Sequence, residues 1–482
     1  MNLFRTKPVA QLIEESGTGS GLRRTLGPVN LVSLGIGSVI GAGIFVLSGQ
    51  AAAQYAGPGI ALSFAISGLA ALLAGLCYAE FASMIPVAGS AYTYTYATMG
   101  EFMAWIIGWD LMLEYLFSGA AVAVSWSASA QAFLMEFGVK LPASLAQAPW
   151  SLEHNHLIAT GAWINLPAVF ISLVITGVLV VGIRESATFN NVMVFTKVGV
   201  LLVLVAYGAW FLHGHRALTA ANWHPFIPPN SGKFGIFGWS GVFRGAAVVF
   251  FAYIGFDSVS CAAQEAKNPQ RDMPIGLLAC IGICVVLFIA VSMVLTGMIH
   301  YSKLNIDSPF IFALQQTGAP AWLRFSVEIA TLAGLTSVIL ISLLGQPRIF
   351  FSMAKDGLLP MAFSKLHPRF HTPYITTILT GVVCAITAGL LPLDLLGELI
   401  SVGTLMAFSV VCAGIVILRK TRPDLPRPFR TPWVPFVPIL GALICVAQAV
   451  LLPVDTWLRL VIWMAIGIAI YFSYSRHHSK LR

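Results

Sequence analysis

Stretches of about 20 apolar residues, long enough to cross a bilayer as an α-helix, follow one another along this chain with little between them. Twelve are read, near 28–54, 58–85, 100–136, 163–183, 190–213, 237–263, 273–299, 322–352, 374–392, 395–419, 434–453 and 456–475. They point to an all-α polytopic membrane protein. Composition agrees, with 57% hydrophobic and 10% charged residues against roughly a quarter charged in a soluble domain. A membrane β-barrel would need short segments of alternating polarity, whereas these runs are continuous and rich in Leu, Ala, Val and Gly.

Residues 1–27 carry Arg5, Lys7, Glu14, Glu15, Arg23 and Arg24 but no apolar core of signal-peptide length, so an uncleaved cytoplasmic tail is expected. Cytoplasmic loops of membrane proteins are enriched in Lys and Arg. Placing both termini inside puts 19 of the 27 Lys and Arg there: Arg184, Lys267 and Arg271, the group Arg348, Lys355, Lys365 and Arg369, the group from Arg419 to Arg430, and the two tails, the second being 476–482. Lys140, Arg216, Lys233, Lys303, Arg324 and Arg459 fall outside, and Lys197 and Arg244 within spans. The net charge of +8 is then a topology signal, with membrane lipid and not nucleic acid as the surrounding partner. A plasma membrane, or bacterial inner membrane, is the expected location.

Spans one to five (28–213) and six to ten (237–419) form blocks of similar length. An odd number of spans per block inverts the second block relative to the first, the arrangement of alternating-access transporters. The segment from Lys420 to Pro438, dense in Pro and Arg, cannot continue a helix and sets apart two appended helices within 434–475. A long connection from His213 to Gly235 is expected over the external side.

Two spans carry internal breaks. The first contains GIGSVIGAGIF (35–45), and the sixth contains Phe251-Ala-Tyr-Ile-Gly-Phe-Asp257. Glycine weakens a helix, and in lipid the backbone groups it frees must line a protected cavity. A half-helix exposes N–H groups at one end and C=O groups at the other, a pair of ends that suits an amino acid. Its carboxylate would meet the N–H groups around Gly41, Ala42 and Gly43, and its ammonium the carbonyls of Ile40, Phe251, Ala252 and Ile254. The competing reading is close helix packing at Gly37, Gly41 and Gly43.

The segments LGIGSVIGAGIF (34–45), YAEFASMIPVAGSAYTYTY (78–96), GWDLMLEYLFSGAAVAVSWS (108–127) and FFAYIGFDSVSCAAQEAKNPQRDMPIG (250–276) resemble the amino acid-polyamine-organocation superfamily, in its cationic amino acid transporter branch. The resemblance covers nearly the whole chain. It implies a fold of two inverted five-helix repeats, the LeuT-like fold, with import of an L-amino acid bound by the two unwound segments. It also implies Phe251 as an aromatic lid over substrate. The branch commonly shows two successive glutamates after the sixth span; this chain has Gln264 and Glu265, so a gating salt bridge there would rest on Glu265 alone.

An ionisable residue deep in a span is a functional candidate by default. Lys197 lies about 10 Å into the fifth span by helical rise. Sodium-driven relatives of the fold hold a cation between the first, fifth and eighth helices, and in the proton-driven branch a lysine takes that place. A buried ammonium can stand in for Na⁺, and desolvation brings its deprotonation into reach. Proton coupling through Lys197 is therefore expected, against the alternative that its long stem snorkels to the interface. Glu114 is expected as either a packing partner or a proton relay, and Asp257 as a structural group shaping the second break. Glu80 and Arg244 are expected in interhelical salt bridges, and Phe250 and Phe256 as core or lipid contacts.

All seven cysteines sit in or beside spans as small apolar residues. His213, His215, His224, His300, His367, His371, His477 and His478 fall in loops or tails, and His154 and His156 in an external loop. No metal set, and no cofactor other than the proton as coupling ion, is indicated. A channel would need a polar or charged pore ring and an enzyme a nucleophile-base pair or an HExxH motif; neither is read here. The reading is a proton-coupled symporter of L-amino acids, broadly neutral or cationic, with an amino acid or polyamine exchanger as the alternative.

Overall fold

Apolar length becomes helix wherever no breaker intervenes. The computed structural model describes all residues except 1, 2, 4, 18–23, 88, 154, 155, 182–185, 307, 371, 481 and 482. Arg23, Arg184, His154, His371 and Arg482, which entered the topology and ligand arguments, lie outside the described residues. The principal helices are α1 (Pro28–Val39), α2 (Ile60–Met84), α3 (Glu101–Glu136), α4 (Leu166–Val181), α5 (Ser186–Gly214), α6 (Gly238–Val249), α7 (Pro269–Met298), α8 (Ala321–Lys355), α9 (Tyr374–Leu390), α10 (Leu393–Thr421), α11 (Phe436–Val450) and α12 (Val454–Ile470). Among the described residues eight helical stretches are long and apolar enough to cross a membrane, and α1, α4, α9 and α11 are shorter apolar helices.

Proline sets several of the starts. Pro28 and Pro269 open α1 and α7 in the first helical turn, where a missing N–H leaves nothing unsatisfied. Among the described residues one small element departs from the helical pattern, an antiparallel hairpin of β1 (Trp150–Glu153) and β2 (His156–Ala159), with Trp150 opposite Ala159. The connection after α5 contains the short helix Arg216–Asn222, and Asn222 donates to the Gly297 carbonyl at 2.8 Å, closing the end of α7.

Small residues set the closest packing, as expected where lipid supplies no hydrophobic drive between helices. α1 and α7 run parallel, with Gly35 against Cys280 and Gly276 against Leu31. α2 meets α7 through Gly75 against Ile281, and α3 meets α8 through Gly345 against Tyr115. The first and sixth segments run antiparallel through their breaks, with Ser38 bonded to the Gly255 carbonyl and Gly43 against Ala252, while ahead of α1 a local parallel bridge joins Leu26 to Ala266. All seven cysteines are buried and free.

Glu80, fully buried in α2, accepts from Arg419 Nε at 3.0 Å and Nη2 at 2.6 Å and from the Thr431 backbone N–H at 2.7 Å, with Arg427 Nε in ion-pair contact at 3.3 Å. One carboxylate thereby ties α2 to α10 and to the Pro-rich segment before α11. Removing one side of such a buried pair costs about 3–5 kcal/mol. Glu80→Ala is accordingly expected to lower the thermal unfolding midpoint in detergent sharply, measured by a fluorescence melt; an unchanged midpoint would show that the knot is redundant. Arg244 differs from expectation: its guanidinium lies 5.1 Å from the centre of the Tyr55 ring, a cation–π contact in place of a salt bridge. His213, expected in a loop, belongs to the last turn of α5.

Candidate functional site

The glycine-rich stretch interrupts the first segment after Val39. Ile40 turns to an extended conformation (φ −77°, ψ 96°) and the chain resumes as a wider helix over Gly43–Leu47. The sixth segment tightens over Phe250–Tyr253, then extends at Ile254 (φ −64°, ψ 139°). Gly255 follows with φ +108°, a conformation in which a Cβ would be strained. Short helical turns over Ser258–Cys261 and Ala263–Glu265 complete the segment.

Lys197, fully buried in α5, reaches into the first of these breaks. Its Nζ donates to the Gly37 carbonyl at 2.8 Å, to the Ile40 carbonyl at 3.0 Å and to Ser337 Oγ of α8 at 2.9 Å. Ser337 in turn donates to the Gly37 carbonyl at 3.1 Å. An ammonium offers three N–H bonds, and all three have acceptors here. The side chain points inward and does not snorkel. It also takes up the Ile40 carbonyl, which sequence reasoning had assigned to a substrate ammonium.

The three glycines of the first break each meet a different neighbour. A Cβ on Gly37 would meet Asn190 Oδ1 at 2.8 Å, one on Gly41 would meet Val338 Cγ2 at 2.8 Å, and one on Gly43 would meet Ala252 Cα at 2.3 Å. Close packing, the competing reading of this motif, thus operates at every one of them. Ile40, Ala42, Phe251, Ala252 and Ile254 are all buried. The Phe251 carbonyl accepts from the Ile254 N–H at 3.3 Å, within the tightened turn.

Beside the breaks is a small cavity lined by Ser38, Glu114, Tyr115, Ser118, Ile254, Gly255, Ser258, Ile341 and Ser342. Of the predicted site residues it brings together Ile254 and Glu114; Gly41, Ala42, Gly43, Phe251 and Ala252 do not line it. The serines and Tyr115 were missed. Hydroxyls are common within apolar helices and usually bond back to their own helix, as Ser172 does to Ala168, so no signal separates a lining serine from a silent one. Ser38 alone had a pointer, its place among the glycines.

The Asp257 carbonyl accepts from the Ser260 N–H at 2.8 Å and from Ser260 Oγ at 2.6 Å, and its side chain reaches other elements. Its Oδ2 accepts from Tyr115 Oη at 2.8 Å and from Ser90 Oγ at 3.4 Å, and Oδ1 has no partner among the described residues. Glu114 lies within electrostatic reach of Asp257, and both its oxygens are buried without a hydrogen-bond partner. Glu114 lines the cavity and Asp257 does not, and the two carboxyl groups lie near enough for like charges to repel.

Toward the face that carries the chain termini the two segments are locked. Glu265 Oε1 accepts from Arg348 Nη2 of α8 at 2.6 Å. The N–H groups of Thr25 and Leu26 donate to the Glu265 carbonyl at 2.9 Å. Below it, Asp356 pairs with Lys7 at 2.7 Å and accepts from Tyr92 Oη at 2.7 Å, and its carbonyl accepts from the Lys480 N–H at 3.1 Å. The ion pair the sequence left to a single glutamate has its partner in Arg348. Reversing either charge, Glu265→Arg or Arg348→Glu, is expected to cut transport about tenfold, and the double reversal to recover most of it, because the coupling of a contacting pair is non-additive. A double-mutant cycle on uptake rates checks this; purely additive losses would deny the pair a gating role. Among the described residues no group of three or more His, Cys, Asp or Glu is placed to hold a metal ion.

Comparison with known proteins gives a consistent answer. A family model described as amino acid permease matches residues 26–472. The chain is 46% identical to the methylthioribose transporter of Bacillus subtilis (strain 168), over all of this chain and 99% of that one. It is 44% identical to the branched-chain amino acid permease BcaP of the same organism, again over all of this chain and 99% of the relative. It is 38% identical to the vacuolar cationic amino acid transporter 4 of Arabidopsis thaliana, over 88% of this chain and 68% of that one.

Proposed function

Since the chain belongs to the amino acid permease family, within the amino acid-polyamine-organocation superfamily, we propose that it is a secondary transporter importing L-amino acids across the plasma membrane by alternating access, with the proton as coupling ion. The observation that carries this reading is Lys197. Its buried ammonium is held by two carbonyls of the broken first segment and by α8, so the charge on Lys197 and the shape of the break depend on each other. Losing that proton removes one of the three N–H donors and the charge that strengthens the other two, so the hold on the Gly37 and Ile40 carbonyls weakens, which is how a coupling ion would act on the binding segment.

In this reading twelve spans form two inverted repeats and two appended helices, and the antiparallel course of the first and sixth segments supports the inversion. The face with both termini is cytoplasmic, and the Glu265–Arg348 pair is the inner gate. Substrate sits beside Ser38, Ile254 and Ser258, with main-chain groups of Ile40 to Gly43 and of Phe251, Ala252 and Ile254 recruited as Gly43 and Ala252 separate. Names of relatives span methylthioribose, branched-chain and cationic amino acids, and a lining of serines with the single carboxyl of Glu114 favours small neutral or cationic side chains.

Uptake of a panel of radiolabelled L-amino acids into proteoliposomes, under an inward proton or sodium gradient, tests the proposal. Accumulation driven by protons and indifferent to sodium is expected. Uptake that needs internal amino acid and ignores both gradients would make the protein an exchanger.

A further inference from the structure

Four residues below the Glu114 side chain, about 6 Å along the helix axis, α3 carries a second buried acid that the transport reading leaves unused. Asp110 is 1% exposed, and neither of its oxygens has a hydrogen-bond partner among the described residues. It faces α10 at Gly403, where a Cβ would lie 2.7 Å from Asp110 Oδ1; the missing side chain leaves the room that the carboxyl occupies. Beside it Thr404, fully buried, has an unpartnered hydroxyl within reach of Glu114. Buried polar atoms nearly always find a partner. Here three side chains on two facing helices, Asp110, Glu114 and Thr404, leave five oxygens without one.

Such a concentration of unmet acceptors calls for a proton or a cation. A metal cation would find no main-chain oxygen to complete its shell here, because α3 and α10 are uninterrupted helices at this level whose carbonyls are engaged in their own ladders; a proton needs none. The charges on packed elements are committed elsewhere: Glu398 of α10 to Thr456 and Arg459 of α12, Arg419 of α10 to Glu80, and Arg348 of α8 to Glu265. The titratable groups facing Asp110 are therefore Glu114 and, beyond it, Asp257, Tyr115 and Tyr78.

We propose that Asp110 is a second proton acceptor, which with Glu114 forms a carboxyl relay leading from the cavity toward the face that bears the termini. The proton leaves the Glu114 carboxyl as its O–H bond breaks, and a new O–H bond forms on the Asp110 carboxylate, so one acid and one carboxylate are present before and after. Thr404 Oγ, able to donate and accept, bridges the pair. The transfer lets Glu114 take a fresh proton while the first waits one turn nearer the inner side. This inference rests on the proton-coupled reading above.

The test uses the full chain in proteoliposomes, with radiolabelled L-leucine and L-arginine as probes. Asp110→Asn keeps the shape and removes the acid. Accumulation driven by an inward proton gradient is expected to fall about 100-fold, the size of a lost proton-transfer group, and its pH dependence to flatten. Counterflow, which moves no net protons, is expected to stay within about twofold of wild type, and Asp110→Glu to recover much of the accumulation. Should the Asn variant not fold, Gly403→Ala, whose methyl displaces the Asp110 carboxyl, must show the same split. Equal loss of counterflow and accumulation would reduce Asp110 to a packing residue, and no change in either would overturn the relay. Wild-type uptake indifferent to protons would instead sink the transport reading itself.

Discussion

Replacing Lys197 by Ala is expected to lower proton-driven amino acid accumulation by about 100-fold, to near the level of empty liposomes. The reason is the number of groups that depend on one ammonium. The Gly37 and Ile40 carbonyls and Ser337 Oγ all take their bonds from Lys197 Nζ, and each buried acceptor left without a donor costs about 1–3 kcal/mol. The largest part of that penalty falls on the broken first segment. Its carbonyls must relax or admit water, and the segment loses the one group that would report a proton's presence to it. Lys197→Met, which retains the apolar stem, separates lost packing from lost charge: accumulation is expected to stay abolished while the unfolding midpoint recovers most of the way. Labelled uptake with and without a proton gradient, beside a melt of each variant, is the measurement. Full accumulation in either variant would leave the ammonium a purely structural cation.

Gly43→Ala is the second large effect. The added methyl would lie 2.3 Å from Ala252 Cα, 2.6 Å from its Cβ and 2.8 Å from its backbone nitrogen. No rotamer change relieves a clash with backbone, so the two broken segments must move apart. Overpacking of this kind costs about 1–3 kcal/mol and more where backbone must shift, and 3 kcal/mol is a factor of about 100 in a conformational equilibrium. Transport is expected to fall accordingly, as populations tilt away from the state in which the segments touch. Gly41→Ala is the internal comparison, because it meets only Val338 Cγ2 at 2.8 Å, a side chain that can turn; a loss of about tenfold or less is expected there. Gly199→Ala, with nothing within 4 Å, is expected to be neutral. Initial uptake rates normalised to protein in the vesicle rank the three, and equal behaviour of Gly43→Ala and Gly199→Ala would contradict the contact.

Much of this was legible in the residues. Helical character follows from the apolar runs, and the helices found start and stop close to them because proline and glycine punctuate the chain at Pro28, Gly57, Pro269 and the Pro-rich segment before α11. The interruptions lie within the glycine cluster and within Phe251–Asp257 for the same local reason. Lys197 and Glu114 stood out because ionisable groups in lipid are rare. Ser118, Ser258, Ser337 and Ser342 did not, since a hydroxyl costs little in a helix that offers it a carbonyl. Nor did the hairpin over Trp150–Ala159, a short element in a polar connection. Asp110 was passed over as the neighbour of Glu114, because no pattern in sequence distinguishes an acid that finds a partner from one that does not.

What the sequence by itself determined is a chain that must bury its backbone bonds inside helices in a membrane, the places where those helices break, and membership of a transporter family. These are local or compositional matters, governed by spacing along one chain. Tertiary structure decided who meets whom: Glu80 with Arg419, Glu265 with Arg348, Lys197 with the carbonyls of Gly37 and Ile40, and Glu114 with Asp257. Each joins residues from 83 to 339 positions apart. Partner choice for a buried charge is a competition among every group the packing brings within a few ångströms, and only the packed helices settle it.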